Sequence, residues 1–381
     1  MHGEGRRGDG YPAGAALILP NMRSVDWRGD LRFDVIVRSV GSASPNIAAA
    51  IAAGLGLPVE AVVASIYRAP SPLARALPRS AADAMCALLC ELGLVVDVDV
   101  SPTALEPAVT LDVAAEIADP ALTEAAGLAI ADFLGVSVDE AMELLMTPPG
   151  IVLGNVSPVT VAAFEARLPQ GALELTTADP LTSRYALFAG DLPPSERAAV
   201  ASMLPGVVLA DDTSLVVMDL SHGDADRIWR RLARNPGVRV FNQAFLRYDV
   251  QLDAADSDDP GVAAALEELA GIPLDDCDSV LALAPVTIEN GVRHADVETR
   301  LKAYAARGIS VTARLASFVE HVLVVESAPP PALALVGASG TAVLPLQLPP
   351  LSLPRARLLR ARLEQAGADV LQYDAPPARA A

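Results

Sequence analysis

The stretch FDVIVRSVGSASPNIAAAIAAGLGL, residues 33–57, decides the fold. Its first five residues, 33–37, alternate in the manner of a β-strand. A helix is predicted over 45–53, because a proline stands at its first turn, where proline is favoured. The glycines and leucines of 54–57 break that helix, and Pro58 begins a second one. A strand followed by two short helices predicts a small α+β unit.

The residues that follow complete this unit and begin a repeat. A third helix is predicted to end at Gly93, where glycine can adopt a positive φ, and residues 95–100 alternate valine and aspartate as a half-buried strand. The same order returns twice further along the chain, and two shorter segments keep only its first strand and its final helix and strand. The predicted organisation is an N-terminal extension (1–32), full units at 33–100, 107–178 and 245–315, shortened units at 183–244 and 319–374, and a tail at 375–381.

The linkers between these units are short, which prevents the units from moving independently over long distances. Domains of about 55 to 70 residues are marginally stable on their own. We therefore expect neighbouring units to pack against one another.

Composition sets limits on function. Hydrophobic residues make up 52% of the 381-residue chain, which excludes a largely disordered protein, and only 4% are aromatic, which predicts thin aliphatic cores. The net charge of -19 argues against binding to nucleic acids or anionic membranes, because contacts with phosphates require an excess of Lys or Arg. No apolar run reaches the roughly 18 residues of a membrane span. These features predict an acidic cytoplasmic protein.

Several features of the first unit occur in a fixed order. They are the strand at 33–36, the break at 54–57 followed by Glu60 and Ala61, the pair Ala69 and Pro70, and an apolar helix at 82–92 that precedes Gly93 and alternating valines. In this order they resemble the C-terminal domain of the bacterial ribosomal stalk protein. The resemblance covers residues 33–100, and more weakly 245–315 and 109–178.

The resemblance implies a three-stranded antiparallel sheet with three helices on one face. In that family the domain recruits translation GTPases through a lysine-rich, apolar surface on its first two helices, and a related fold serves an adaptor that feeds substrates to the Clp protease. Here the matching stretch 45–57 has no charged residue, and the other full units carry acids there: Glu124, Asp132, Glu267 and Glu268. The family's helical dimerising region has no predicted counterpart in 1–32. The resemblance therefore predicts the fold and leaves the GTPase-recruiting role as an alternative.

Two sets of side chains are candidates for interaction with proteins. Arginines spaced three, four and seven apart lie on one face of a helix, and these are Arg227, Arg230, Arg231 and Arg234, and Arg293, Arg300 and Arg307. They could dock an acidic partner, dock the chain's own carboxylate-rich second unit, or form a solvated face. The uncharged side chains of Ile47, Leu55 and Leu57 are the second set, and they contact either another unit or subunit, or their own unit.

No catalytic constellation is predicted, because the four histidines are scattered and none has the spacing of a metal site. The acidic groups Asp256, Asp258 and Asp259, and Asp275, Asp276 and Asp278, lack the glycine and terminal glutamate of an EF-hand loop, so solvated turns are the favoured interpretation. Residues 337–341 lack the lysine of a phosphate loop and are interpreted as a turn. Cys86 and Cys90 form either a reactive or metal-binding pair or, as we favour, two small core residues.

These observations predict a non-enzymatic scaffold or adaptor that presents stalk-like repeats to protein partners, without a cofactor or metal. A translation-linked factor that contacts ribosomes or translation GTPases is one alternative, and a protease-adaptor-like substrate recruiter is another. The sequence leaves the oligomeric state open.

Overall fold

The computed structural model describes residues 31–101, 109–190, 193–203, 208–209, 215–235, 237–255, 259–338 and 342–375. Most of the predicted extension and tail, residues 256–258 with Asp256 and Asp258, and residues 339–341 of the predicted turn lie outside these ranges. Across the described residues the strands form five separate antiparallel sheets, each flanked by helices. The predicted α+β class is confirmed.

The first sheet is built on a central strand that comes from the stretch 33–57. Its elements are β1 (Phe33–Ser39), α1 (Ile47–Leu55), α2 (Val59–Tyr67), β2 (Ser71–Leu77), α3 (Arg79–Glu91) and β3 (Val95–Val100). The strand order is β2-β1-β3, with both neighbours antiparallel to β1. Val35 and Val37 of β1 are completely buried, as the aliphatic core requires.

The second sheet repeats this order. Its elements are β4 (Leu111–Ile117), α4 (Thr123–Leu134), α5 (Val138–Met146), β5 (Ile151–Val156), α6 (Pro158–Glu165) and β6 (Leu173–Ala178), with strand order β5-β4-β6. The third sheet has one helix in place of two and an additional short strand. It comprises β7 (Tyr185–Ala189), α7 (Pro194–Met203), β8 (Val208–Leu209), β9 (Leu215–Leu220), α8 (His222–Leu232) and β10 (Val238–Asn242), in the order β10-β7-β9-β8.

The fourth sheet has the full pattern again. Its elements are β11 (Arg247–Ala254), α9 (Pro260–Ala270), α10 (Leu274–Ala282), β12 (Val286–Arg293), α11 (His294–Ala305) and β13 (Ser310–Leu315), in the order β12-β11-β13. The fifth sheet is shortened like the third. It comprises β14 (Glu320–Ser327), α12 (Pro330–Leu335), β15 (Leu346–Gln347), β16 (Leu351–Ser352), α13 (Leu353–Gln365) and β17 (Asp369–Asp374), with β14 at its centre.

A carboxylate, buried in the first sheet and half-buried in the fourth, connects the first two strands of each sheet. Asp34, which is 2% exposed, accepts hydrogen bonds from the backbone N–H of Ala76 at 2.9 Å and from the hydroxyl of Ser101 at 2.5 Å. Asp249 accepts in the same way from the backbone N–H of Gly291 at 3.0 Å. The two backbone donors, Ala76 and Gly291, have positive φ values of 54° and 69°, so each carboxylate satisfies a backbone group that the strand pairing leaves free.

The contacts of the chain divide it into two compact units. The first contains residues 1–110, 128–138 and 155–168, and the second contains 111–127, 139–154 and 169–381. The segment predicted as the second repeat is therefore shared between both, because parts of its helices pack with the first unit. Among the described residues, no single helix is long and apolar enough to cross a membrane.

Candidate functional site

The break between the first two helices has the same geometry in all three full segments, and we call these breaks the helix-break tips. In the first tip, Gly56 adopts the left-handed conformation at φ 67° and ends α1, and Pro58 is the N-cap of α2. The side chains on either side of that proline project into solvent, with Leu57 41% exposed and Val59 42% exposed. Glu60 follows in the first turn of α2.

The other two tips repeat the left-handed glycine and carry exposed apolar side chains, although Ser137 replaces the proline in the second tip and Ile272 of the third is half-buried. Gly135 ends α4 at φ 69°, and Val136 and Val138 are each 37% exposed. Gly271 ends α9 at φ 70°, Pro273 is the N-cap of α10, and Leu274 is 52% exposed. Each tip is followed in the sequence by an acidic residue. Exposed apolar side chains therefore recur at the same place in each of the three segments.

The predicted apolar residues differ in their exposure. Leu57 lies at the first tip and is exposed, whereas Ile47 and Leu55 are half-buried within α1. The side chains of α1 that enter the core are Ala48, Ile51 and Ala52. Of the three candidates, Leu57 is therefore the one that a partner can reach without a rearrangement of the helix.

The arginines of α8 do lie on one face. Arg227, Arg230, Arg231 and Arg234 are all exposed, and α8 packs on its sheet through the opposite face with Ala225, Ile228 and Leu232. Arg227 pairs with Asp224 at 3.1 Å, and Arg230 pairs with Asp226 at 2.8 Å, both within the helix. Such exposed pairs contribute little to stability. Trp229 of the same helix is 46% exposed, but its position along the helix places it on a different side from these arginines.

The second predicted arginine set pairs with the chain itself. Arg293 pairs with Glu174 of β6, and Arg307 pairs with Glu268 of α9 at 2.8 Å. Arg300 lies 3.6 Å from Glu289, whose carboxylate also accepts a hydrogen bond from the hydroxyl of buried Tyr304 at 2.6 Å. These three arginines do not form a common docking face, because their side chains bind carboxylates on three different elements.

The carboxylate-rich second segment supplies several partners for arginines of later segments. Besides Glu174, its Glu143 pairs with Arg355 of α13, and its Glu116 pairs with Arg247 at 2.6 Å. Arg293 and Arg355 therefore pair with the chain's own acidic segment, which is one of the predicted alternatives for the arginines. Arg227 and Arg230 of α8 pair instead with aspartates of their own helix.

Arg247, which no sequence pattern indicates, makes side-chain bonds to several residues of this region. Its side chain is 8% exposed and donates to Glu116 through Nε and to the hydroxyl of Thr176 through Nη2 at 3.0 Å. Its Nη1 also donates to the carbonyl of Leu246 at 3.4 Å. A guanidinium suits this task because it presents five donors in a fixed fork. The sequence shows only that β11 begins with an arginine. No local pattern distinguishes a buried arginine at this position from an exposed one.

A cleft of about 60 Å³ adjoins this arginine. Its walls are mostly apolar, with Ile117, Pro149, Phe245 and Leu353, and Arg357 lies at its edge. Pockets that bind metabolites have volumes of roughly 300 to 1,000 Å³. This cleft has room for a few water molecules, so it does not form a substrate site.

A second buried ionisable residue was also missed. His321 of β14 is 7% exposed, its Nδ1 lies 3.3 Å from Asp374, and its Nε2 has no hydrogen-bond partner among the described residues. Burial lowers the pKa of His321 below 6.5, although Asp374 and Asp249 oppose this shift. Burial in turn raises the pKa of Asp249.

The predictions for cysteines and acidic clusters have mixed outcomes. Cys90 is exposed and Cys86 is half-buried, so the interpretation as two core residues is wrong for Cys90, because α3 turns Ala82, Met85 and Leu89 inward instead. Burial raises the pKa of the Cys86 thiol. Asp259 is the N-cap of α9 and accepts from the backbone N–H of Gly261, which gives it a structural role.

No group of three His, Cys, Asp or Glu side chains in the described part of the chain has the geometry to hold a metal ion. No family model matches this chain, and no curated protein is significantly similar to it. The described residues define an α+β architecture of small antiparallel sheets. It carries exposed apolar tips, and the arginine face of α8 is exposed.

Proposed function

We propose that this chain is a non-enzymatic scaffold or adaptor that binds protein partners through its helix-break tips. The observation that supports this proposal is the repetition of one exposed apolar surface, Leu57 with Val59, Val136 with Val138, and Leu274, on the same backbone geometry. Apolar side chains that recur at a solvent-exposed turn are typical of interaction sites. The first two helices are also where the stalk-protein family, which the first segment resembles, recruits its partners.

The charge near the tips narrows the kind of partner. Glu60 follows the first tip, Asp139 the second, and Asp275 the third, and no lysine or arginine lies between the glycine and the acid in any of them. A partner that complements these tips presents apolar side chains flanked by basic ones. A translation GTPase that expects lysines would meet the wrong sign of charge here, so we favour an adaptor outside translation.

Affinity purification with a matched pair of variants tests this function. Val59→Asp places a charge in the first tip, and Val100→Asp places the same charge at a 56% exposed position on β3 of the same sheet. We expect tagged full-length Val59→Asp to lose a specific partner by about tenfold or more while Val100→Asp retains it, since a charge that must be desolvated costs at least about 1.4 kcal/mol. Circular dichroism of both variants verifies that each remains folded.

If both variants recover the same proteins in the same amounts as the unmodified chain, the first tip is not a binding surface. Recovery of ribosomal proteins that depends on Val59 would instead support the translation-linked alternative. Sedimentation of the tagged chain with ribosomes through a sucrose cushion distinguishes that case directly.

A further inference from the structure

We propose that the thiols of Cys86 and Cys90 on α3 form a binding site for one soft monovalent cation of the Cu(I) type, held between the two sulfurs. The inference goes beyond the proposed function and does not rest on it, because α3 contributes no residue to a helix-break tip. It concerns the pair of cysteines that the sequence distinguishes and to which the tips give no role.

The two cysteines lie one turn apart on the same side of α3. Their spacing along the helix places the Cβ atoms roughly 5–6 Å apart. Cys86 is half-buried, and its thiol donates to the carbonyl of Val96 on β3 at 3.6 Å. The exposed thiol of Cys90 lies within hydrogen-bonding distance of the Cys86 sulfur. The pair is therefore held beside the sheet and is open to solvent on one side.

The separation of the two cysteines suits a bridging atom better than a disulfide. A disulfide requires Cβ atoms roughly 3.5–4.5 Å apart, so a disulfide across a full turn would distort α3. With metal–sulfur bonds of about 2.3 Å, the length found for zinc, a cation between two sulfurs holds them at most about 4.6 Å apart. The Cβ atoms beyond those sulfurs then reach the helical separation without a change in the backbone.

The neighbouring carboxylates do not complete a larger coordination shell. Asp83, on the same side of α3, pairs with Arg79 at 2.9 Å. Asp97 of β3 pairs with Arg38, also at 2.9 Å. In the described ranges, no set of three potential ligands includes the two thiols. Zn²⁺ takes four ligands in structural sites, whereas thiolates select soft ions such as Cu(I), for which two sulfurs are sufficient, so the ligand set favours Cu(I).

Binding of the cation releases protons, because the thiolate and not the thiol is the ligand. Burial raises the pKa of the Cys86 thiol, and the neighbouring Cys90, Asp97 and Asp83 add to this shift. Two thiolates and one monovalent cation form a complex with a single negative charge, and two protons pass to the solvent. The affinity for Cu(I) should therefore rise by up to about a hundredfold per pH unit while both thiols are protonated.

Transfer of Cu(I) from a coloured chelator tests the site. Reduced full-length protein is titrated without oxygen into the Cu(I) complex of bicinchoninate, and the loss of colour measures the cation that the protein withdraws. We expect the unmodified chain to withdraw one equivalent, and Cys277→Ser, which removes a buried thiol of α10, to withdraw the same amount. Cys86→Ser and Cys90→Ser should each bind about a hundredfold more weakly, because the second thiol acts at a high effective concentration.

Two further measurements on the unmodified chain do not depend on a variant. X-ray absorption of the loaded protein should show two sulfur neighbours around the copper and no oxygen or nitrogen neighbour. Zn²⁺ at the same concentration should be lost on desalting, because the site supplies only two of the four ligands that this ion requires.

An unmodified chain that withdraws no Cu(I) from the chelator overturns the proposal. So does a folded Cys86→Ser variant that binds as tightly as the unmodified chain, since the exposed Cys90 would then hold an adventitious ion only. A non-sulfur neighbour of the copper, or equal retention of Zn²⁺, also contradicts a site of two thiolates. Circular dichroism verifies folding, and if Cys86→Ser does not fold, Cys90→Ser and the X-ray absorption decide the question. Loss of partners in Val59→Asp leaves these results unaffected.

Discussion

Replacement of Arg247 by methionine tests the packing of the second sheet against the fourth. The side chain is 8% exposed, and it joins Glu116 of β4 and Thr176 of β6 to the start of β11. Arg247→Met keeps most of the aliphatic volume and removes every donor, so the change measures the polar contacts more than the packing. Glu116 loses its partner and retains a side chain that is 35% exposed.

The size of the loss follows from these contacts. Removal of one partner from a fully buried ion pair costs about 3–5 kcal/mol. Glu116 can recover part of its hydration at 35% exposure, which reduces that figure, and the bond to the carbonyl of Leu246 at 3.4 Å is long and contributes little. We therefore expect Arg247→Met to reduce the free energy of local unfolding at β4 and β11 by about 2 kcal/mol. This is close to the contribution of one charge-assisted hydrogen bond.

Hydrogen exchange measured by mass spectrometry separates this effect from the rest of the chain. Peptides from β4 and β11 should lose protection by about thirtyfold, while peptides from β1 in the other compact unit serve as the internal control. The pair Arg247→Met and Glu116→Gln forms a double-mutant cycle, in which we expect a coupling energy of about 1–2 kcal/mol. Protection of β4 that changes by less than about 0.5 kcal/mol, or a coupling energy of zero, would refute the reasoning.

Three further predictions rest on single side chains. Asp34→Ala should destabilise the first sheet by about 2 kcal/mol in urea unfolding, because the backbone N–H and the hydroxyl that it accepts from are left unpaired; an unchanged midpoint would contradict this. Burial lowers the pKa of His321, so the unfolded chain takes up a proton at higher pH than the folded chain does. The free energy of unfolding should therefore fall as the pH drops below 6.5. His321→Gln should abolish this decline in thermal melts. Under native conditions iodoacetamide should modify exposed Cys90 first and Cys277 last, because Cys277 is 1% exposed and burial raises its pKa; peptide mapping with time checks this order.

The sites show where reasoning from the sequence stops. Spacing along a helix places Arg227, Arg230, Arg231 and Arg234 on one face, and they do share it, because helical periodicity is a local property. The same reasoning fails for Arg293 and Arg300, because their carboxylate partners lie on β6 and β12 and no local pattern indicates such distant neighbours. Cys90 was misplaced for a related reason, since a residue's spacing from Cys86 does not determine which face of α3 enters the core.

The sequence by itself determined the α+β class, the opening strand, the helices and the closing strand of each full segment, and the positions of the helix breaks, but its pattern did not predict the strands β2, β5 and β12 between the second and third helices. The predicted features follow from apolar periodicity, from proline at helix starts and from glycine where φ is positive, all of which act within a few residues. Only the tertiary structure decided that Arg247 and His321 are buried, that Asp34 satisfies a distant backbone group, and that the second segment is divided between two compact units. Burial and pairing depend on residues far apart in the chain, and their free energy arises only when the sheets have packed together.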